Sequence, residues 1–424
     1  MKKLRFYLIL ILFAIPNIAF GQQPGIEENA EIAWNVSWTK FYHPSTNLFY
    51  DYISSYEKGE ELSHLPSVQE VNRQYPNPCG YGTGMEDCMI LTGTMLDALV
   101  DRYKITADEK LKEYASAVLR GIAKSSLIEN APGFVARGLC VEDGKSFYIN
   151  SSRDQYTHCV YGLWKYYKSS MPSDGAKDTI RLILSNIANR MIQNVTPEHN
   201  YDFLRMDNKP CPLGICKMWN VQSHEAARLP MFYAAAWDVT GKKAYYELYR
   251  KYVYDAVVQS EAIEKNHSAY VFVQMLYSFD LLFSLETDSD LQKRLCSLKE
   301  RVGKMALERS KESLDKLIKL NREQLAVLGP DWRNVEVWDM QKGYKIPRWG
   351  EYRKIWELIR EIGESSLVVY MQDNEKLHEE EFKILNEYLS AIDYTRISSC
   401  GIIFHVASYW KAKKFGINTE SVPL

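Results

Sequence analysis

The chain has 424 residues, a net charge of −2, 46% hydrophobic residues and 13% aromatic residues. So balanced a charge gives no electrostatic footprint for nucleic acid, and beyond the first residues no stretch is apolar enough to span a bilayer. Length alone allows either two or three average domains or one large one.

At the start, Lys2, Lys3 and Arg5 precede an apolar core over 6–15, and Ala19-Phe-Gly21 offers a small-residue cleavage site. Residues 1–21 therefore read as an export signal, leaving a periplasmic or secreted chain with no membrane attachment. Residues 22–31 read as a flexible lead, and 41–56 as a helix interrupted at Pro44. The segment 66–84, rich in Pro, Asn and Gly, reads as a long ordered loop. These pieces make 22–79 a lead and loop region packed on a main domain over 80–424.

Helical patterns fill that domain. Residues 85–103 are apolar on nearly all sides, as a buried helix requires, and 110–124 are amphipathic. The same alternation returns at 155–167 and 176–192. In the next pair, 226–237 is packed with small residues, and Tyr245, Leu248, Tyr249, Tyr252, Val253 and Ala256 then trace one helical face. Residues 267–285 are buried, and 290–309 carry a stripe of Leu291, Leu295, Leu298, Val302 and Met305. A more polar helix is expected over 310–328 and an irregular excursion over 329–350, where Trp332, Trp338 and Trp349 anchor a loop or lid. Helices over 355–371, 379–392 and 397–415 complete the set. Strand candidates are few and short, at 134–136 and 145–149. The pattern predicts an all-α fold, a toroid of inner and outer helices with long loops and a few short strands. Unequal repeats argue against an open α-solenoid.

All eight cysteines follow the leader. Cys211-Pro-Leu-Gly-Ile-Cys216 is the candidate for a local bridge; it is not a Cys-x-x-Cys pair and has no matching second pair, so no metal is expected. No cofactor motif is present. Gly80-x-Gly-x-Gly84 lacks the strand context of a dinucleotide loop.

Chemistry concentrates where loops enter buried helices. The clearest cases are Gly80-Tyr-Gly-Thr-Gly-Met-Glu-Asp87, Ser151-Ser-Arg-Asp-Gln-Tyr-Thr-His158 and Gln222-Ser-His-Glu-Ala-Ala-Arg228, with acids Asp87, Asp154 and Glu225 roughly 70 residues apart. In a closed ring those ends surround one pocket. An acid at a first helical turn can also simply cap it. Asp154 and His158 share a helix face at i, i+4, so the acid could orient the imidazole. His224 and Arg228 share another. Arg153 and Arg228 are candidates for gripping a substrate carboxylate, with Arg137, Arg205 and Asp207 at the rim. Tyr156 is a proton donor or stacking ring, and Tyr81 and Trp219 are stacking rings. Glu86 and His267 complete the candidate set.

With its hairpin rhythm, aromatic load (29 Tyr and 10 Trp), leader and acids at inner-helix starts, the chain resembles the six-hairpin glycosidase superfamily over roughly 80–415. The resemblance implies an (α/α)6 toroid acting on an oligosaccharide or polysaccharide, and an exported glycan-degrading enzyme of a Gram-negative bacterium. The nearest analogy, the unsaturated uronyl hydrolases, implies an acidic sugar and an inner-helix Asp, for which Asp87 and Asp154 are the candidates. Hydrolysis by Asp154 with Asp87 or Glu225 is the leading expectation. β-Elimination with His224 or His158 as base and Tyr156 as acid, epimerisation, and non-catalytic glycan binding are the alternatives.

Overall fold

A computed structural model describes residues 25–416; the export signal expected over 1–21 lies outside them. Fourteen helices make up most of the described chain: α1 (Ile26–Val36), α2 (Val68–Asn72), α3 (Cys88–Thr106), α4 (Lys110–Ser126), α5 (Arg153–Lys168), α6 (Asp174–Asn194), α7 (Arg228–Thr240), α8 (Lys243–Ser260), α9 (Ala269–Leu285), α10 (Ser289–Leu317), α11 (Arg322–Leu325), α12 (Glu351–Tyr370), α13 (Glu375–Ala391) and α14 (Ile402–Lys414). Two antiparallel hairpins accompany them, β1 (Tyr42–His43) with β2 (Leu48–Phe49) and β3 (Trp338–Gln341) with β4 (Tyr344–Pro347).

Helices α3, α5, α7, α9, α12 and α14 form an inner ring in which each packs on the next and α14 returns to α3. Helices α4, α6, α8, α10 and α13 follow their inner partners on the outside, and α1 packs on α14 as the sixth outer helix. The ring is closed, which decides between toroid and solenoid. Burial explains the sequence pattern: on α3 every residue from Cys88 to Asp101 is buried, whereas α4 buries only one stripe, including Leu111, Ala115, Val118 and Ile122. Polar N-caps start three of the outer helices. Ser173 accepts the Ala176 N–H at the start of α6, Asp288 those of Asp290 and Leu291 at α10, and Asn374 that of Leu377 at α13.

Four local expectations change. The lead over 22–31 is already helical from Ile26, because Ile26, Ala30, Ala33 and Trp34 bury a face in the core. The segment at Pro44 is a tight hairpin: Asn47 takes φ 61° and its N–H donates to the His43 carbonyl at 2.8 Å. The strand candidates at 134–136 and 145–149 join no sheet and form no regular element. Part of the excursion at 329–350 is the β3–β4 hairpin, while the helix expected over 290–309 runs on as expected, as far as Leu317.

Candidate functional site

The inner helices run in parallel, so their N-termini gather at one end of the ring. A cavity of about 510 Å³ opens there, and seven carboxylates and four arginines are among its lining residues. The first wall is the loop into α3. Asp87 occupies the N-cap position of α3, yet its side chain caps nothing. Asp51 braces the turn that leads into the helix, accepting the N–H groups of Glu86 at 3.0 Å and Asp87 at 3.1 Å. The Asp87 carboxylate accepts hydrogen bonds from Arg360 at 2.5 Å and Gln155 at 3.1 Å, and Arg137 stands 3.7 Å away. Glu86 accepts the Gly82 N–H at 2.9 Å. Burial, with Asp87 and Glu86 alongside, pushes Asp51 well above the usual carboxylate range; burial and Asp87 raise Glu86 as well.

The second wall is the start of α5, where Asp154 accepts a 2.5 Å hydrogen bond from Arg228 of α7. Burial opposes ionisation there, but the Arg228 and Arg153 charges outweigh it and hold Asp154 below the usual range. Arg228 also donates to Gln274 of α9. The third wall is α12. Arg360 bridges Asp87 and Glu364, donating to Glu364 through Nε at 2.7 Å. Burial nevertheless lifts Glu364 to about 7. Tyr270 of α9 lies within electrostatic reach of both Asp154 and Glu364. The β3–β4 hairpin contributes Asp339, Gln341, Ile346 and Pro347, and Trp349 beyond it donates to the Gly82 carbonyl at 3.0 Å. Gly82 sits at φ 81°, and a Cβ there would meet Pro347 at 2.6 Å, so the hairpin closes on a position only glycine fits.

Of the residues read from the sequence, Tyr81, Glu86, Asp87, Arg137 and Asp154 line this cavity, and Arg228 reaches it through Asp154. The rest point elsewhere. Arg153 donates to the Gly214 and Lys217 carbonyls, both at 2.7 Å, and pairs with Glu225. Both side chains therefore anchor the 211–217 loop. His224 packs against His267 with ring centroids 4.7 Å apart and planes tilted by 50°, and burial lowers it to about 4. His158 does not meet Asp154. It bonds Thr94 at 3.0 Å and lies edge-on to Tyr277, held by burial at about 3. The Tyr156 hydroxyl is committed to the Gly133 carbonyl at 2.9 Å and the Val135 N–H at 3.1 Å. Trp219 packs on Tyr252 of the outer helix α8, and Arg205 pairs with Asp207. The ring of Tyr81 is covered by Arg137 at 4.7 Å. The base and acid imagined for β-elimination thus face away from the cavity. Cys211 and Cys216 carry free thiols.

Sequence reading missed Asp51, Tyr270 and the whole α12 set of Arg353, Trp356, Arg360, Glu361 and Glu364. A signal existed: Trp356, Arg360 and Glu364 recur every four residues on one face. That spacing usually marks a solvated ion-pair ladder. Here Arg360 and Glu364 are 8% and 3% exposed, so the ladder faces inward.

No protein family and no curated protein sequence matches the chain. Solved structures do. A cellobiose 2-epimerase from Bacillus thermoamylovorans B4167 superposes with a TM-score of 0.52 at 11% identity, covering 92% of this chain and 99% of that one. A sugar epimerase from a ruminal bacterium gives 0.51 at 12% identity, with coverage of 92% and 99%. A family 76 glycoside hydrolase (mannosidase) from Bacteroides thetaiotaomicron VPI-5482 gives 0.48 at 10% identity, with the same coverage. The fold is the (α/α)6 toroid. Likeness at these identities is a likeness of fold.

Proposed function

We propose that the chain is an exported carbohydrate-active enzyme, a glycoside hydrolase acting on a neutral oligosaccharide in the periplasm or outside the cell. The observation that carries this is the pair of carboxyl groups whose surroundings drive them apart: Glu364, lifted to about 7, and Asp154, held low by Arg228. One is suited to protonate a glycosidic oxygen and the other to activate water or attack. The leader at 1–21 supports export.

A neutral substrate is favoured over the acidic one read from the sequence because every arginine lining the cavity already has a carboxylate partner. Arg137 and Arg360 serve Asp87, Arg348 pairs with Asp339, and Arg353 pairs with Glu357 at 2.6 Å. Epimerisation is the second reading. It is favoured by the solved epimerases of like fold, and a carboxyl group near 7 also suits proton abstraction beside a carbonyl.

The deciding experiment incubates purified protein with neutral and uronate-containing oligosaccharides in deuterated water. Fragments carrying one added water support hydrolysis, lost in Glu364→Gln and Asp154→Asn by at least about 100-fold. An unfragmented sugar that gains one carbon-bound deuterium indicates epimerisation. Binding with neither product sinks the enzyme reading and leaves a glycan-binding protein.

A further inference from the structure

The cavity has a wall that the ring of helices does not supply. Hairpin β3–β4 immediately precedes α12, yet it is fastened to the loops that lead into α3 and α5. Asn77 Nδ2 donates to the Lys345 carbonyl at 3.0 Å, and Asn150 Nδ2 to the Tyr344 hydroxyl at 2.8 Å. Around the ring, α14 and α3 lie between α12 and α5, so the hairpin reaches across that sector of the ring's end. Its turn is preset, because Lys342 and Gly343 take φ 48° and 84°, the positive pair of a type I′ turn. The register sets Asp339 opposite Ile346 and Gln341 opposite Tyr344, which puts these four side chains on one face. Asp339, Gln341 and Ile346 line the cavity, and Tyr344 is the residue that Asn150 holds. On the other face Met340 is 69% exposed.

Resting on the reading of the cavity as a sugar-binding centre, we propose that the hairpin stops it on the α3 side, making a blind pocket that takes a short oligosaccharide or the end of a glycan chain. A polymer bound by its middle must leave the centre in two directions, through a groove open at both ends. Here one direction is filled. Pro347 is seated against Gly82, Trp349 holds the Gly82 carbonyl at 3.0 Å, and Arg348 is paired with Asp339. The space that remains, about 510 Å³, is that of a pocket for a compact molecule of a few rings.

Across the ring from α3, the start of α9 offers that molecule a platform. Tyr270 lines the cavity and is 42% exposed, whereas Arg137 and Arg353 cover the rings of Tyr81 and Trp356 at 4.7 and 4.9 Å. A terminal sugar therefore stacks on Tyr270 with its hydroxyls toward Gln341 and Asp339.

The test uses linear neutral gluco-, manno- and xylo-oligosaccharides of two to six units. Titration calorimetry with Glu364→Gln reads Kd against chain length, and wild-type protein is incubated with end-labelled six-unit chains. Affinity is expected to level off by the third unit and then to stay within about 2-fold, and wild-type protein to act at one end only. A Kd that keeps falling by about 3-fold or more per unit up to six, or early products cut from the middle of the chain, overturns the inference and leaves the sugar reading standing. No binding to any chain sinks the sugar reading and the inference with it. Replacing 340–345 with two glycines removes the wall, so the folded variant should cut six-unit chains internally; if it keeps the wild-type product pattern, the hairpin is not the stop. The wild-type product pattern decides the question even where a variant fails to fold.

Discussion

At Asp51 a side chain from one loop holds the turn into a helix that starts 37 residues later, where Asp87 keeps its own carboxylate for the cavity. Asp51 is 1% exposed, so Asp51→Ala strands two buried N–H groups and costs about 1–3 kcal/mol in denaturant unfolding. Asp51→Asn, which keeps one acceptor, recovers part of that loss. Glu364 sets the pH dependence. If it is the proton donor, turnover falls as pH rises through about 7, since the protonated form is the active one. Because Arg228 holds Asp154 low, the acid limb lies below the ordinary Asp value of about 3.9. A pH–rate profile of the wild-type protein checks both limbs, and an alkaline limb absent near 7 would remove Glu364 from the role. Sequence reading reached Asp87, Asp154 and Glu86 because they sit where loops enter buried helices. It could not reach Glu364, whose spacing from Arg360 reads equally well as a surface ion pair. It also credited His158 and Tyr156 with roles, whereas both lie buried outside the cavity lining and the Tyr156 hydroxyl is spent on Gly133 and Val135.

Among the elements, α3 and α5 pack backbone to backbone. A Cβ at Gly93 would come within 2.4 Å of the His158 carbonyl oxygen, and one at Gly162 within 2.5 Å of the Gly93 carbonyl oxygen. The two glycines let the backbones touch, and this draws the helix starts bearing Asp87 and Asp154 toward each other. Gly93→Ala should cost about 1–3 kcal/mol by overpacking, measured as a lowered denaturant midpoint with unchanged slope. A neutral result would mean that α5 shifts freely, and the close contact would not then fix the site. The helical elements were legible because inner helices lack a polar face and outer ones keep it. The hairpins were not. β1–β2 spans two residues a side, too short for an alternating pattern to register, and β3–β4 is held by packing on the Gly82 loop that only the folded ring creates.

Across the whole molecule, early and late segments are stitched together. Ile53 N–H donates to the Ser398 carbonyl at 3.0 Å and Cys400 N–H to the Asp51 carbonyl at 2.9 Å. Trp356 donates to the same Asp51 carbonyl at 3.2 Å. Arg102 lies between Trp34 of α1 and Trp410 of α14, 4.4 and 4.6 Å from their rings. Removing α14 should therefore cost the fold as a unit. A chain ending at Ile392 is expected to lose its cooperative thermal transition, and a cooperative transition in that chain would mean the remaining five inner helices suffice. The same stitching gives the molecule a clock. The support beneath Asp87 is finished by residues near 400, so the first wall of the cavity cannot set until those residues have been made. Until then the chain carries the acids of the cavity without the scaffold that aims them.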